Sequence, residues 1–526
     1  MRYANFFYLL MAVVMVSAGC SNMEEQCRYS VSKEEIRSVI EFLGHDLLEG
    51  RAPGTRGGEL AEIYVKSCMQ QAGLEPYKGS YFHPLEIKGF TLTGLDARAG
   101  GRVLRFPDDI VGSMPREQED FFIEGDAVFC GYGIKSDAWG WDDYKDIDVR
   151  GKIVVVRVNE PGRSNRDLFD GEALTYFGRW TYKIEEAARR GAKGILLLHT
   201  DATAGYQWHV VKNSWGGEEL YLPEMLDNDL EFRGWIREEP FRQILEEKGC
   251  SLDRLNMMSE SREFEPVLLP IRVQVQGTSS WRSFMTRNVA GCIKGRGGTL
   301  QEKAVILSAH IDHLGMNQRL EGDTVFNGAI DNASAVAAML CTAKLLKDHE
   351  NMLHYPVIVL ACQAEEAGLL GSRHFASALD PSACLANINF ESTPVWEKTM
   401  DLMAVGAKYS DLETVAAETA ESMGLEYSEF SMSNQGFFYR SDQFSFARYG
   451  IPAVWISAGE KFTGGVNRMR EFFLGDYHTV DDEYNPSWKL ESTAQTIEAA
   501  VRMTEALNKR KAPVEWTGKM TFPVER

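Results

Sequence analysis

Five short segments in the second half of the chain carry side chains able to hold a metal ion. They read AHIDHLG (309–315), NGAIDNAS (327–334), QAEEAGLLGS (363–372), NINFES (387–392) and DYHTVDD (476–482). Imidazole together with carboxylate is the donor set of zinc and similar divalent ions. Three of the segments continue directly from apolar runs, VILSAH, VIVLACQAEE and CLANINFE. Strand ends in an open α/β sheet converge on one crevice. That would bring His310, Glu365, Glu366 and Glu391 together across their sequence separation. Asp331 stands just ahead of a helical stretch, where an acidic group is well tolerated. Each piece alone also has an ordinary reading. A strand-end histidine can be a hydrogen-bonded surface residue, an aspartate before a helix is often an N-cap, and His478 can be a plain loop residue. The adjacent Glu365 and Glu366 are harder to read that way. Directly after a buried strand, their repulsion and desolvation are costly unless a cation is near.

The elements that must position these groups are legible as apolar runs. Stretches at 304–309, 357–362, 385–390 and 451–457 alternate with helical segments, of which Ala333 to about Lys347 is the clearest. Strand–helix alternation predicts a mixed, mostly parallel sheet with helices on both faces. Nearer the N-terminus, Ser32 with Glu35 predicts a capping box ahead of the helix IRSVIEFLGHDL, and a second helix runs from about Gly58 to Gln71 before Gly73. Residues 122–270 differ in texture. Short β segments (DAVFCGYGI, GKIVVVRV) surround one helix (TYKIEEAARRGA) that leads into a buried strand (KGILLLH). The expected fold class is therefore α/β, interrupted by a smaller β-rich α/β unit.

The ordered set AHIDHLG, NGAIDNAS, AEEAGLLGS, NINFE, RSDQFSFARYGIPA and YHTVDD resembles the two-zinc aminopeptidase family, which includes glutamate carboxypeptidase and glutaminyl cyclase relatives. The resemblance runs over roughly 284–505. TRNVAG (286–291) is similar to the family's entry strand, and 32–90, with EGRAPGTRGG, resembles the N-terminal part of the same zinc exopeptidase fold. Residues 122–270 look like the protease-associated insertion domain of some members. The implied division is 1–19 leader, 20–121 first part of the peptidase domain, 122–270 insertion, and 271–526 catalytic domain.

The resemblance implies two zinc ions and assigns roles. His310 would bind one and His478 the other, with Asp331 bridging. Glu366 would complete the His478 side and Glu391 the His310 side. Glu365 would be the general base. Asp312, expected to leave the same strand face as His310, would orient its imidazole. Tyr477 is either an oxyanion donor or a packed loop aromatic. A cis peptide between Asp331 and Asn332 is also implied. The family usually has aspartate where this chain has Glu391. Residues 434–449 are expected to shape the substrate pocket, with Arg440 and Asp442 as a structural ion pair. The implied activity is hydrolysis of N-terminal residues from peptides with a free N-terminus, and the insertion would cover the cleft or gate substrate size. A cyclase-like or carboxypeptidase-like enzyme on the same scaffold is the alternative, and a silent peptide-binding lipoprotein is another.

The first residues, MRYANFFYLLMAVVMVSAGC, have a basic start, an apolar run too short to span a bilayer, and small residues before Cys20. They resemble a bacterial lipoprotein signal, which implies an exported protein held at the cell envelope by a lipid on Cys20. With 526 residues, two or three domains are expected. A formal charge of −20 argues against nucleic acid as the main partner. The nine cysteines include no C-x-x-C pair, which disfavours a cysteine zinc site. Neither G-x-S-x-G nor H-E-x-x-H occurs, which disfavours a serine hydrolase or a single-zinc helix-type protease. Nothing in the sequence sets the oligomeric state.

Overall fold

The computed structural model describes residues 29–525 apart from 163–167, 227–229, 298–302, 319, 519 and 521. The leader 1–19, Cys20 and Cys27 lie outside the described residues. In chain order the elements that matter here are α1 (Lys33–Leu43), α2 (Arg56–Gln71), β1 (Phe82–Ala99), β2 (Ile110–Ser113), β3 (Asp120–Phe129), β4 (Ile153–Arg157), α3 (Trp180–Arg189), β5 (Gly194–His199) and β6 (Phe232–Arg237). They continue with β7 (Val267–Ile293), β8 (Ala304–His310), α4 (Ala335–Asp348), β9 (Val357–Cys362), β10 (Cys384–Asn389), β11 (Asp401–Val405), β12 (Glu426–Ser428), β13 (Ala453–Ala458) and α5 (Glu491–Lys509).

One continuous sheet runs in the order β12-β11-β13-β10-β8-β9-β7-β3-β4-β5-β6-β2. Its two halves are each mostly parallel: β13, β10, β8 and β9 on one side, and β3, β4, β5 and β6 on the other. The long strand β7 joins them. Its first part pairs antiparallel with β3, and its last residues, Val289–Ile293, pair antiparallel with β9. The strands β8 and β9 are buried at every position, as continuous apolar runs between two helical layers require. Helix α4 is equally apolar because it lies in the core. The helical stretch 329–348 passes the length and hydropathy test for a membrane span, but 89% of its window is buried inside the protein.

The sequence-derived elements occur with two differences. The first helix ends at Leu43 rather than running on, because Gly44 closes it and a tighter turn follows at Asp46–Arg51. Its capping box does not form. The Ser32 hydroxyl donates to Glu34 at 3.1 Å, and Glu35 pairs with Lys344 of α4. A tertiary cation thus outcompetes the local cap. The seven described cysteines are free.

Residues 122–270 share a core with the rest of the molecule. Tyr132, Ile134, Trp141, Phe169, Tyr176 and Tyr182 pack in one apolar cluster with residues of β8, β9 and β13 and with Tyr439 and Phe444. The Leu174 N–H donates to the Ser433 carbonyl at 3.2 Å.

Candidate metal centre

The ends of β8, β9 and β10, three neighbouring strands, deliver the groups their sequence positions predict. His310 is the last residue of β8. Glu365 and Glu366 follow β9, and Glu391 follows β10. Asp331 lies in an irregular turn, Ala329–Ser334, that opens α4, and the Asp331–Asn332 peptide is cis. His478 comes from the loop after the helix Arg468–Leu474. Ala364, Ser392 and His478 hold left-handed backbone (φ 56°, 36° and 60°) beside or at these groups, a strain that persists only where the surroundings enforce it.

Asp331 stands between the two histidines. His310 Nε2 is 3.3 Å from Asp331 Oδ1 and 3.3 Å from Glu391 Oε1. His478 Nε2 is 3.2 Å from Asp331 Oδ2 and 3.2 Å from Glu366 Oε2. The same carboxylate therefore offers one oxygen to each imidazole. The structure also gathers His310, Glu365 and Glu391, whose ligand atoms lie within 4.8 Å of one another.

These spacings fit zinc. A tetrahedral ion with bonds of about 2.0–2.1 Å sets adjacent donor atoms about 3.3 Å apart. Asp331 Oδ1 and His478 Nε2 are buried atoms that lack a good hydrogen-bond partner, as ligand atoms would. The charge balance agrees. Burial opposes a charged His478 ring, yet Glu366 and Asp331 push its pKa up to about 10. Burial also opposes ionisation of Glu366, but His478 brings it down to about 2. Glu365 is driven well above the carboxylate range by burial and, against His310, by Glu391 and Glu366. So many acidic groups in one buried site call for positive charge.

The surrounding contacts fix the donors. His310 Nδ1 meets the backbone carbonyl of Asp312 at 3.1 Å, which leaves Nε2 free to ligate. The Asp312 carboxylate is 3.9 Å from that ring. It instead accepts the backbone N–H groups of Glu365 (3.1 Å) and Glu366 (3.3 Å). The strand has already ended at His310, so the expected same-face alternation does not reach residue 312. Burial raises the Asp312 pKa to about 7. Tyr477 stacks on the His478 ring at 3.9 Å and 20°.

The expected Arg440–Asp442 ion pair is absent. Asp442 turns inward beside Ser372 and Cys362, and burial lifts its pKa to about 6. Arg440 lies over the Phe437 ring at 5.0 Å instead. Residues two apart at the start of a helix face different ways, and sequence adjacency concealed this.

Four positioning residues went unassigned in the sequence. His313 Nδ1 contacts Glu366 Oε1 at 2.8 Å. Ser441 donates to Glu391 Oε2. Asp482 accepts the N–H groups of Ile330 and Asp331. Arg51 donates to the carbonyls of Ile311 (2.9 Å), Asn327 (2.5 Å), Gly328 (3.0 Å) and Leu43. All four lie inside the motifs quoted above, which was the available signal. Gly328 is required in its place. It has φ +57°, and a Cβ there would meet the Asp331 carbonyl at 2.1 Å and the His313 ring at 2.6 Å.

The chain is similar to several known proteins. Aminopeptidase YwaD of Bacillus subtilis (strain 168) is 28% identical over 194 residues, 35% of this chain and 39% of that protein. Carboxypeptidase G2 of Pseudomonas sp. (strain RS-16) is 32% identical over 132 residues, 23% of this chain and 30% of that protein. The chain thus matches well under half the length of either curated relative. The solved aminopeptidase from Aneurinibacillus sp. strain AM-1 shares the fold. Its TM-score is 0.52 at 16% identity, covering 94% of this chain and 97% of that one. The family model for peptidase family M28 matches residues 288–502, from the end of β7 into α5. That span holds every donor described above, and over it the chain is similar to peptidase family M28.

Proposed function

We propose that the protein is a zinc-dependent aminopeptidase that removes N-terminal residues from peptides, using two metal ions. The observation that carries this reading is the position of Asp331, with one carboxylate oxygen beside His310 and the other beside His478. His310, Asp331 and Glu391 would hold one zinc, and His478, Asp331 and Glu366 the other. Zinc in such a site supplies Lewis acidity, which polarises a carbonyl and acidifies water.

Glu365, with its carboxyl pKa raised by burial, takes a proton from the attacking water and hands it to the leaving amine nitrogen. Asp312 fixes the Glu365 and Glu366 backbone while its own carbonyl orients His310. Tyr477, next to His478, donates its hydroxyl to the oxygen that becomes negative as water attacks. The free amino group of the peptide lies against the carboxylates, which favours exopeptidase over endopeptidase action. Residues 122–270 act as a protease-associated insertion that walls the cleft. A lipid on Cys20 holds the protein at the cell envelope.

The test is turnover on a panel of aminoacyl-amides and dipeptides, with zinc and with a chelator. Release of N-terminal residues that the chelator abolishes, with two zinc ions per chain by elemental analysis, is the expected result. No release from a chain that still binds two ions would overturn the aminopeptidase reading. Loss of ammonia or water from N-terminal Gln or Glu in the same samples would then mark cyclase chemistry.

A further inference from the structure

The loop that carries Glu365 and Glu366 leaves the sheet after β9 and ends where the helix Leu370–Ser377 begins. Its two ends are bonded to each other. The Gly371 N–H donates to the Gln363 carbonyl at 2.9 Å, the Leu370 N–H to the Ala364 carbonyl at 3.0 Å, and the Leu369 N–H to the Glu365 carbonyl at 2.8 Å. Ala364 and Leu369 hold left-handed backbone within it, with φ 56° and 63°. Backbone pairing of β9 with β7 stops at Ala361, which lies opposite Val289. Something other than that ladder must fix where the loop stands.

Asn288, one residue before Val289 in β7, continues where the ladder stops. Its side chain is fully buried. Its Oδ1 accepts the Gln363 N–H at 2.9 Å, and its Nδ2 donates to the Gly371 carbonyl at 2.8 Å. The partners settle which way the amide faces, because a backbone N–H only donates and a carbonyl only accepts. One side chain thus offers a peptide-like pair of groups to both ends of the loop. Glu62 of α2 holds the first end again. It is buried, and its Oε1 accepts the Gln363 amide at 3.2 Å, the Thr286 hydroxyl at 2.9 Å and the Arg287 N–H at 3.0 Å. The second end admits only glycine. A Cβ on Gly371 would lie 2.2 Å from the Gln363 carbonyl and 2.4 Å from Asn288 Oδ1.

We propose that Asn288 is a positioning residue for Glu365 and Glu366, acting as a clamp on both ends of the loop that carries them. The inference rests on the peptidase reading above and deepens it. The clamp bears on one side of the metal centre. Glu366 stands beside His478, whereas His310 and Glu391 are delivered by the ends of β8 and β10. Loosening it should displace the proton-transfer group and weaken the ion on the His478 side, and spare the ion on the His310 side.

The experiment uses the full chain with Asn288→Leu, which keeps most of the volume, and Asn288→Ala, which relieves any crowding. Both remove the two hydrogen bonds. Zinc is titrated against a chelating dye, and kcat and KM are measured on dipeptides at saturating zinc. Glu366→Gln identifies the ion on the His478 side by weakening it. In the Asn288 variants that ion should bind at least about tenfold more weakly, with the other within about threefold. The kcat should fall at least about tenfold with KM within about threefold, since a small displacement of a reacting group is costly. Circular dichroism shows which variants fold, and one folded variant suffices. Unchanged zinc binding and kcat overturn the clamp. So does equal weakening of both ions, or a change in KM as large as that in kcat, which is what a residue of general structural importance would give. If the unaltered chain cleaves no peptide, the peptidase reading falls and the zinc titration alone decides. Selective weakening of one ion then supports the clamp, and unchanged or equal weakening overturns it.

Discussion

The Asp482 carboxylate grips the backbone of Asp331. One oxygen accepts the Asp331 N–H at 2.9 Å and the other accepts the preceding Ile330 N–H at 2.8 Å. The shared ligand of both proposed zinc positions is thus aimed by a carboxylate about 150 residues away. Asp482→Asn keeps the size but leaves one N–H facing an amide NH2 group. Zinc affinity should fall about 10–100-fold, the usual cost of losing an outer-shell partner, with little loss of secondary structure. Competition against a chelating dye measures the affinity. Unchanged affinity would show that the turn at Asp331 holds itself.

Arg51 ties the same region together from behind. Its guanidinium spans the loops after β8 and before α4 through the carbonyls of Ile311, Asn327 and Gly328. Burial lowers its pKa to about 10, against the pull of Asp482, Asp312, Asp331 and Glu366. Arg51→Met strands several buried acceptors and removes a cation near four acids. A loss of about 3–5 kcal/mol is expected by urea unfolding. Arg51→Lys should recover only part, because a point charge cannot serve several carbonyls in a planar fork.

How much of this was legible in the sequence follows from what each residue contacts. His310, Glu366 and Glu391 could be read because they end apolar strands, and neighbouring parallel strands converge. The contacts of Arg51 could not, since three of its four partners are backbone carbonyls 260–277 residues away, which no side-chain pattern announces. Ser32 and Asp442 misled for the same reason. A local motif suggested a cap and an ion pair, while Lys344 and the buried pocket by Cys362 decided the outcome.

Within residues 122–270, Lys183 is fully buried and donates to the Phe177 carbonyl at 2.5 Å. Burial lowers its pKa to about 7, against Glu160 and Asp143, whose own values burial raises to about 7. Lys183→Met leaves two buried carboxyls with no cation. Their folded pKa values then lie above the unfolded values near 4, so stability is lost as pH rises through the folded values. The variant should be less stable than the parent at pH 7, where lysine and carboxyls are charged together, and much closer to it at pH 5, where the carboxyls are protonated. Denaturant midpoints at both pH values check the sign, and Lys183→Met with Glu160→Gln should regain part of the loss at pH 7.

Glu365 is the group whose role is most sharply separable from structure. It neighbours His310 and Glu391, but its backbone is held by Asp312 rather than by its own side chain. Glu365→Gln keeps the volume and that backbone contact, and removes the ability to accept a proton. If Glu365 moves the proton between water and leaving amine, the variant should bind the same number of zinc ions and melt near the parent temperature, yet lose turnover by several orders of magnitude, beyond the roughly 10²–10⁴-fold of a proton transfer alone, since the preorganised charge is lost with it. Near-normal turnover would remove Glu365 from that role. A parallel loss of zinc would instead make it a ligand, with the His310–Glu365–Glu391 group as the site that needs it.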